Sequence, residues 1–564
     1  MPYRAPVSEI MFCLEKIVGF DRVAATDRFA EATPETVAAM LTEAGRICED
    51  VLAPLNRAGD LHPARLENGV VRTPPGYAEG WRAISEAGFV ALAADPAHGG
   101  LGMPMAVTSA VNEMIASACL ALQLAPLMSQ GQIEALEHHA SDGLKAVYLP
   151  KLVSGEWNAT MNLTEPQAGS DVGALRTRAE PRGDGTYAIT GQKIYISWGD
   201  NDFTENTVHL VLARLPDAPQ GTRGISLFLV PKRLPDENGE AGVANGLRVV
   251  SLEHKLGLHG SPTCVMDYDG ATGWLVGPEG GGMAAMFTMM NNARLGVGVH
   301  ALAVGEAAFQ HALAHAADRV QGRPMVAGGT GTILDHADVR RMLTGTKAEV
   351  FAARAMALDL AVSIDMAKAT DDAAWKARAA FLTPIVKNYG SETGMAAADT
   401  GIQVHGGMGF VEETGAAQYA RDVRVTAIYE GTNGIQGMDL VGRKLSDGGA
   451  AAFALLDEVA ETAERAGSDA LAAAASALRG ATERMLALEP NDRFAGSVPF
   501  TRAFALTLGG HYHLRAALAE PDSPRTRLAQ SFLARQMAAV PGLLAEAVQG
   551  AGDLYALSPD DLAA

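Results

Sequence analysis

Tyr187-Ala-Ile-Thr-Gly-Gln-Lys-Ile-Tyr-Ile-Ser197 is the stretch on which the fold turns. Its β-branched and aromatic residues alternate with smaller or polar ones, the period of a half-buried strand. Within it, Gly191 to Gly199 reads as a strand preceded by a turn. Tyr195 and Ser197 fall on one face, with Ile194, Ile196 and Trp198 on the other. Val208-His-Leu-Val-Leu-Ala213, Ile225-Ser-Leu-Phe-Leu-Val230 and Leu247-Arg-Val-Val250 share this texture, each bounded by Gly, Pro, Asp or Asn. No helix of ten or more residues separates them, so residues 157–275 are expected to form an antiparallel β domain and not βαβ units.

On both sides the pattern changes to helix. Residues 7–146 are alanine-rich, with apolar residues three and four apart, broken by turn-rich stretches at 60–77 and 95–105. Helical periodicity returns at Gly282, with long segments at 294–320, 333–368 and 371–399. Asp447-Gly-Gly449 marks a linker, and an acidic, lysine-free helical tail follows. A chain of 564 residues is too long for one core. The expected domains are residues 1–160, 161–278, 279–445 and 446–564, an α+β multidomain arrangement.

A formal charge of −20 argues against nucleic acid or an anionic membrane as partner. Cys13, Cys48, Cys119 and Cys264 are scattered without metal or disulfide spacing, which fits a reducing cytoplasm. Neither a cleavable leader nor a stretch of membrane-spanning length is expected. His311 and His315 lack the Glu of a zinc helix, and His511 and His513 have no acidic or thiol neighbour, so both pairs are expected on helix surfaces, with no metal.

Four segments could carry chemistry. In Leu163-Thr-Glu-Pro-Gln-Ala-Gly-Ser-Asp-Val172, Pro166 and Gly169 make an irregular turn that frees N–H groups and the Thr164 and Ser170 hydroxyls, although a plain connecting loop has the same look. Tyr195 beside Ser197 suits a flat heteroaromatic ring, one by stacking and the other by a hydrogen bond, although without context an ordinary half-buried strand is the commoner reading of the same pattern. Gln403-Val-His-Gly-Gly-Met-Gly-Phe410 is a glycine-rich break that lets backbone approach a phosphate, yet no strand precedes it, which excludes a Rossmann fingerprint. Gly277-Pro-Glu-Gly-Gly-Gly282 reads as a domain-joining turn. Ile428-Tyr-Glu-Gly-Thr432 holds a carboxylate beside an aromatic and a glycine; packed among apolar groups such an acid becomes a better base near neutrality. Taken alone, a Glu in this setting is far more often an ordinary residue near a helix end, contacting the N-terminal turn of the next helix.

In this order and spacing, these segments and Arg319-Val-Gln321 resemble the acyl-CoA dehydrogenase family, over residues 79–444. Met1-Pro-Tyr-Arg-Ala-Pro6, Glu253-His-Lys-Leu-Gly-Leu-His-Gly-Ser-Pro262 and the helical tail are similar to its long bacterial subgroup that includes the 3-methylmercaptopropionyl-CoA dehydrogenases. The resemblance implies an N-terminal helical domain, a central antiparallel β domain, a four-helix-bundle domain carrying the base, and an extra C-terminal helical domain. It implies FAD as cofactor, an acyl-CoA as substrate, electron-transferring flavoprotein as acceptor, and a homodimer or dimer of dimers whose second subunit completes the site. Thr164, Ser197 and Tyr195 match positions beside the flavin, and Leu163 and Ser170 match positions meeting flavin and acyl-CoA. Arg319, Gln403, Gly406 and Gly407 match contacts to the neighbouring subunit's FAD, and Thr432 a further FAD contact. Arg294, Tyr429 and Gly431 match the acyl-CoA side. Glu430 matches the base that takes the α-proton while the flavin accepts the β-hydride, giving a trans-2-enoyl-CoA. The alternative base position of some members is Ala293 here, which cannot accept a proton.

Three departures stand out: Asn433-Gly434 in place of Ser-Gln, Trp198 in place of a small polar residue, and Gln321-Gly322 in place of Phe-Gly. A straight-chain acyl-CoA dehydrogenase and an acyl-CoA oxidase remain alternatives. A nucleic-acid-binding relative is disfavoured by the acidic tail. That tail is expected to pack against protein and not to insert in a membrane.

Overall fold

Residues 3–564 are described in the computed structural model, except for the side chain of Asn291. Of the N-terminal flank, Met1 and Pro2 lie outside the described residues. Contacts divide the chain into two units, Met40–Gly296 and Tyr3–Ala39 with Val297–Ala564.

The first unit pairs a long helix, α1 (Met105–His139), with a seven-stranded sheet. Its strands are β1 (Trp157–Asn162), β2 (Arg178–Pro181), β3 (Tyr187–Ser197), β4 (Asn206–Arg214), β5 (Ile225–Pro231), β6 (Leu247–Leu252) and β7 (Thr263–Val276). The sheet order is β6-β7-β3-β2-β4-β1, while β5 pairs with both β7 and β4, so the pairings close into a ring. Ile189, Ile196, Val211, Phe228, Met266 and Tyr268 fill its core.

Most pairs are antiparallel, but β1 and β4 run parallel, as do β2 and β4 at Arg178↔Arg214, which the expectation of an antiparallel domain did not include. Gly191 lies inside β3 and not in a turn before it. A two-residue hairpin at Arg65–Glu67 and Val70–Arg72 occupies a stretch expected to be loop.

α1 is buried on all sides and bends where Cys119 leaves helical geometry (φ −157, ψ 88). Contrary to expectation, it is long and apolar enough to cross a membrane, but 94% of its apolar window is buried inside the protein. Uniform burial erases the amphipathic stripe, so a core helix passes the same test as a spanning one.

The second unit is helical. α2 (Gly282–Asp318) gives residues 282–296 to the first unit and 297–318 to the second. α3 (Ala337–Thr370) and α4 (Ala373–His405) follow, then the short α5 (Asn433–Asp439) and the tail helix α6 (Ser497–Ala519). Glu9 ties the N-terminal helix into the unit by ion pairs to Lys347 and Arg354, and Arg354 also meets Glu306 at 2.8 Å.

The tail packs on the bundle. The Tyr512 hydroxyl donates to Asp359 at 2.6 Å, and Arg378 donates to the same oxygen at 2.7 Å. Two expectations about histidines fail here. His511 and His513 are buried, because α6 is covered on every side, and the His513 ring meets the Ala348 carbonyl at 3.0 Å. His311 and His315 are half-buried and both meet the His405 ring, His311 edge-on at 4.6 Å and His315 stacked at 4.3 Å.

Candidate active site

In the first unit, the loop after β1 is fixed by a buried ion pair that the sequence did not single out. Lys193, fully buried on β3, donates to the Leu163 carbonyl at 2.9 Å and to the Glu165 carboxylate at 2.9 Å. Glu165 also accepts from the N–H and hydroxyl of Thr177 and from the Arg176 N–H. Burial raises the Glu165 pKa, but Lys193 and these donors outweigh it and hold the carboxyl down to about 2. The Ile194 N–H donates to the Thr164 carbonyl at 2.9 Å, so Leu163 and Thr164 lie alongside β3.

Strict alternation would have put Lys193 on the face of Tyr195 and Ser197. A bulge prevents it: the register against β7 jumps between Lys193↔Met266 and Ile196↔Cys264. Tyr195 takes a left-handed φ of 59°, which re-aims its side chain. Lys193 therefore points into the core while Tyr195 is 60% exposed beside a half-buried Ser197. Leu163 and Thr164 are half-buried and Ser170 is exposed.

Trp198, also at positive φ, is buried next to this face and packs against Tyr77 and Phe203. Its indole fills core space beside the strand. Arg294 on α2 is 7% exposed, with its guanidinium 5.9 Å from the centre of the Phe287 ring. Ala293 beside it is buried.

The second unit presents Tyr429, Glu430, Gly431 and Thr432 as one half-buried turn leading into α5. Glu430 sits at φ 55° and Gly431 at φ 83°. A non-glycine residue in the left-handed region costs roughly 1–2 kcal/mol, so surrounding contacts must hold it. They do: the Gln436 side chain donates to the Glu430 carbonyl at 3.1 Å, and Thr432 caps α5 by accepting from the Ile435 N–H at 3.2 Å. A Cβ on Gly431 would lie 2.4 Å from Gln436 Nε2, so φ favours glycine here and any side chain would push the Gln436 amide aside. The Tyr429 hydroxyl lies 3.5 Å from His300 Nδ1, and burial raises the phenol pKa.

At the far end of α4 the chain breaks at Gly406 (φ 61, ψ −136), a geometry open essentially to glycine. Gln403, Gly406 and Gly407 are exposed, and nothing lies within 4 Å of where a Cβ on either glycine would be. Arg319, exposed just past α2, belongs to the same end: His315, one turn before it, stacks on His405. From Lys387, beside Asn433, to His405 is eighteen residues of α4, roughly 27 Å of helix. The glycine break thus lies about five helical turns along α4 from the anchor of the Glu430 turn, which sits near the middle of that helix.

These features fit the parts of a dinucleotide flavin. An exposed aromatic beside a hydroxyl suits a planar ring, and a Cβ-free exposed backbone with a nearby arginine suits a diphosphate. A carboxylate held on a strained turn suits proton transfer.

The family models "Acyl-CoA dehydrogenase, N-terminal domain", "middle domain" and "C-terminal domain" match residues 27–156, 160–271 and 280–445. The 3-methylmercaptopropionyl-CoA dehydrogenase of Ruegeria pomeroyi is 45% identical over 541 residues, covering 93% of this chain and 92% of that protein. Among solved structures, Caenorhabditis elegans ACDH-11 in complex with C11-CoA has a TM-score of 0.77 at 21% identity, over 94% of this chain and 91% of that one. PigA with FAD and proline has a TM-score of 0.60 at 22% identity, over 72% and 96%. At such identities the structural likeness concerns the fold.

Proposed function

The chain belongs to the acyl-CoA dehydrogenase family and is an oxidoreductase of that class, and on this footing we propose that it is an FAD enzyme that desaturates 3-methylmercaptopropionyl-CoA. The observation that carries the chemistry is Glu430 on its left-handed turn, with alanine at the alternative base position 293. The near-full-length 45% identity to the Ruegeria enzyme supports the substrate.

In this reading Thr164, Ser197 and Tyr195 hold the flavin ring, with Leu163 and Ser170 at the junction of flavin and acyl-CoA. Arg319, Gln403, Gly406 and Gly407 serve the FAD of a second copy, which accords with their placement roughly 27 Å along α4 from the anchor of the Glu430 turn. When bound, FAD would supply the hydride acceptor, with electron-transferring flavoprotein as the enzyme's electron acceptor in this reading. Glu430 removes the α-proton, and its own N–H polarises the thioester carbonyl, which acidifies that carbon. The Thr432 oxygen accepts from Ile435, which leaves its O–H proton as a donor toward the flavin. Arg294, Tyr429 and Gly431 border the acyl-CoA.

Anaerobic addition of 3-methylmercaptopropionyl-CoA to the purified flavoprotein is expected to bleach the flavin spectrum. Glu430→Gln should keep FAD and not bleach. Across a panel of acyl-CoAs, activity peaking at long straight chains would overturn the substrate, and peroxide production in air would overturn the acceptor.

A further inference from the structure

We propose that Lys387, Asn388 and Ser391 of α4 are positioning residues for Glu430, acting through Asn433. The inference rests on Glu430 being the base. Asn433 is the first residue of α5 and follows the Glu430 turn directly. Its side chain does not face outward: the Lys387 ammonium donates to Oδ1 at 2.9 Å, and Nδ2 donates to the Ser391 hydroxyl at 3.0 Å. The Asn388 amide donates to the Asn433 main-chain carbonyl at 3.1 Å. Lys387, Asn388 and Ser391 are all buried, Lys387 and Ser391 completely.

Helix stability does not account for this arrangement. A cation beside a helix N-terminus has the wrong sign for the helix dipole. Removing an ammonium from water is costly unless its acceptors are well placed. What the trio does achieve is to fix one end of the 430–433 turn to the rigid α4, while Gln436 fixes the other by its bond to the Glu430 carbonyl. With both ends held, Glu430 cannot relax from φ 55° to an unstrained conformation. The same contacts give a structural reason for asparagine at 433: a serine there is too short to reach Lys387 and Ser391 together. This chain has spent that position on orienting its carboxylate.

The experiment uses the full-length flavoprotein and Lys387→Met, which keeps the bulk of the side chain and removes its charge. With 3-methylmercaptopropionyl-CoA, the limiting rate of anaerobic flavin reduction should fall on the order of 10²-fold, the cost of a misplaced reacting group. The substrate concentration giving half that rate should hardly change, a split that general destabilisation does not produce. Hydrogen exchange, read without substrate, should speed up in residues 428–436 and not elsewhere. Asn433→Asp, which keeps an acceptor for Lys387, should stay close to wild type, whereas Asn433→Leu should behave like Lys387→Met. If Lys387→Met does not fold, Ser391→Ala carries the same two readouts. A normal reduction rate with unchanged exchange in 428–436 overturns the proposal. Glu430→Gln separates the two claims: if it reduces flavin normally the base assignment falls, and if it is inert while Lys387→Met is normal only the positioning role falls.

Discussion

The Trp198 indole N–H donates to the main-chain carbonyl of Ala121 at 3.2 Å, two residues beyond the point where Cys119 leaves helical geometry in α1. Trp198 thus gives a carbonyl of this buried helix a donor from outside it. Trp198→Phe keeps the bulk but loses the donor, and should cost about 1–3 kcal/mol in urea unfolding. Trp198→Ala, which also opens a cavity, should cost about 3–5 kcal/mol. Equal stabilities for wild type and Trp198→Phe would mean the bond carries nothing.

Lys193→Met should destabilise the protein by about 3–5 kcal/mol, because it strands the Glu165 charge in a buried setting. Pairing it with Glu165→Gln should recover most of that loss. The single variant should also lose FAD on gel filtration, since Lys193 fixes the Leu163 carbonyl beside the face that carries Tyr195. A double-mutant cycle gives the coupling, and additive effects would rule the pair out as a unit.

How much of this was readable beforehand depends on distance along the chain. The helix–β–helix order follows from local periodicity, and the glycine break after His405 and the Glu430 turn are each contained in a few adjacent residues. The inward turn of Lys193 is not, because a bulge reverses alternation at Ile194 and Tyr195 and only pairing with β7 reveals it. Likewise nothing near Asn433 announces Lys387, its partner forty-six positions earlier. The parallel β1–β4 pairing and the His405 ring contacts are non-local in the same way. A fully buried helix such as α1 or α6 has no polar face, so sequence alone cannot say which apolar surface it meets.

The Glu306 carboxyl is expected to make stability fall at acid pH. Burial raises its pKa, but Arg354 and Lys347 prevail and hold it down to about 2, against an ordinary 4.5. A depressed carboxylate stabilises fully above its unfolded value, and that contribution is lost as pH falls through the folded one. The window therefore runs from about pH 5 downward toward 2, and the amount at stake is on the order of 3 kcal/mol. Glu306→Gln should be less stable than wild type at pH 7, with the gap narrowing below pH 5. A gap independent of pH would show that the charge is not the source.

Gly431→Ala should retain FAD and fold, yet turn over at least tenfold more slowly, as misplacement of the carboxylate predicts. The added methyl would meet Gln436 Nε2 at 2.4 Å and displace the amide that holds the Glu430 carbonyl. Gln436→Leu should slow turnover through the same contact. Unaltered kcat in both variants would show that the turn tolerates movement.

The way the tail seats on the bundle sets a limit on how this protein can be shortened. Phe504 lies 5.1 Å from Phe381 on α4, His513 lies 4.8 Å from Phe351 on α3, and Tyr512 shares Asp359 with Arg378. A chain ending near Lys444 would bring those apolar rings to the surface and leave Asp359 without its phenol. Such a fragment should express as inclusion bodies or sticky oligomers even though all three matched family domains end by residue 445. For this protein the end of the matched family domains is expected not to be a solubility boundary.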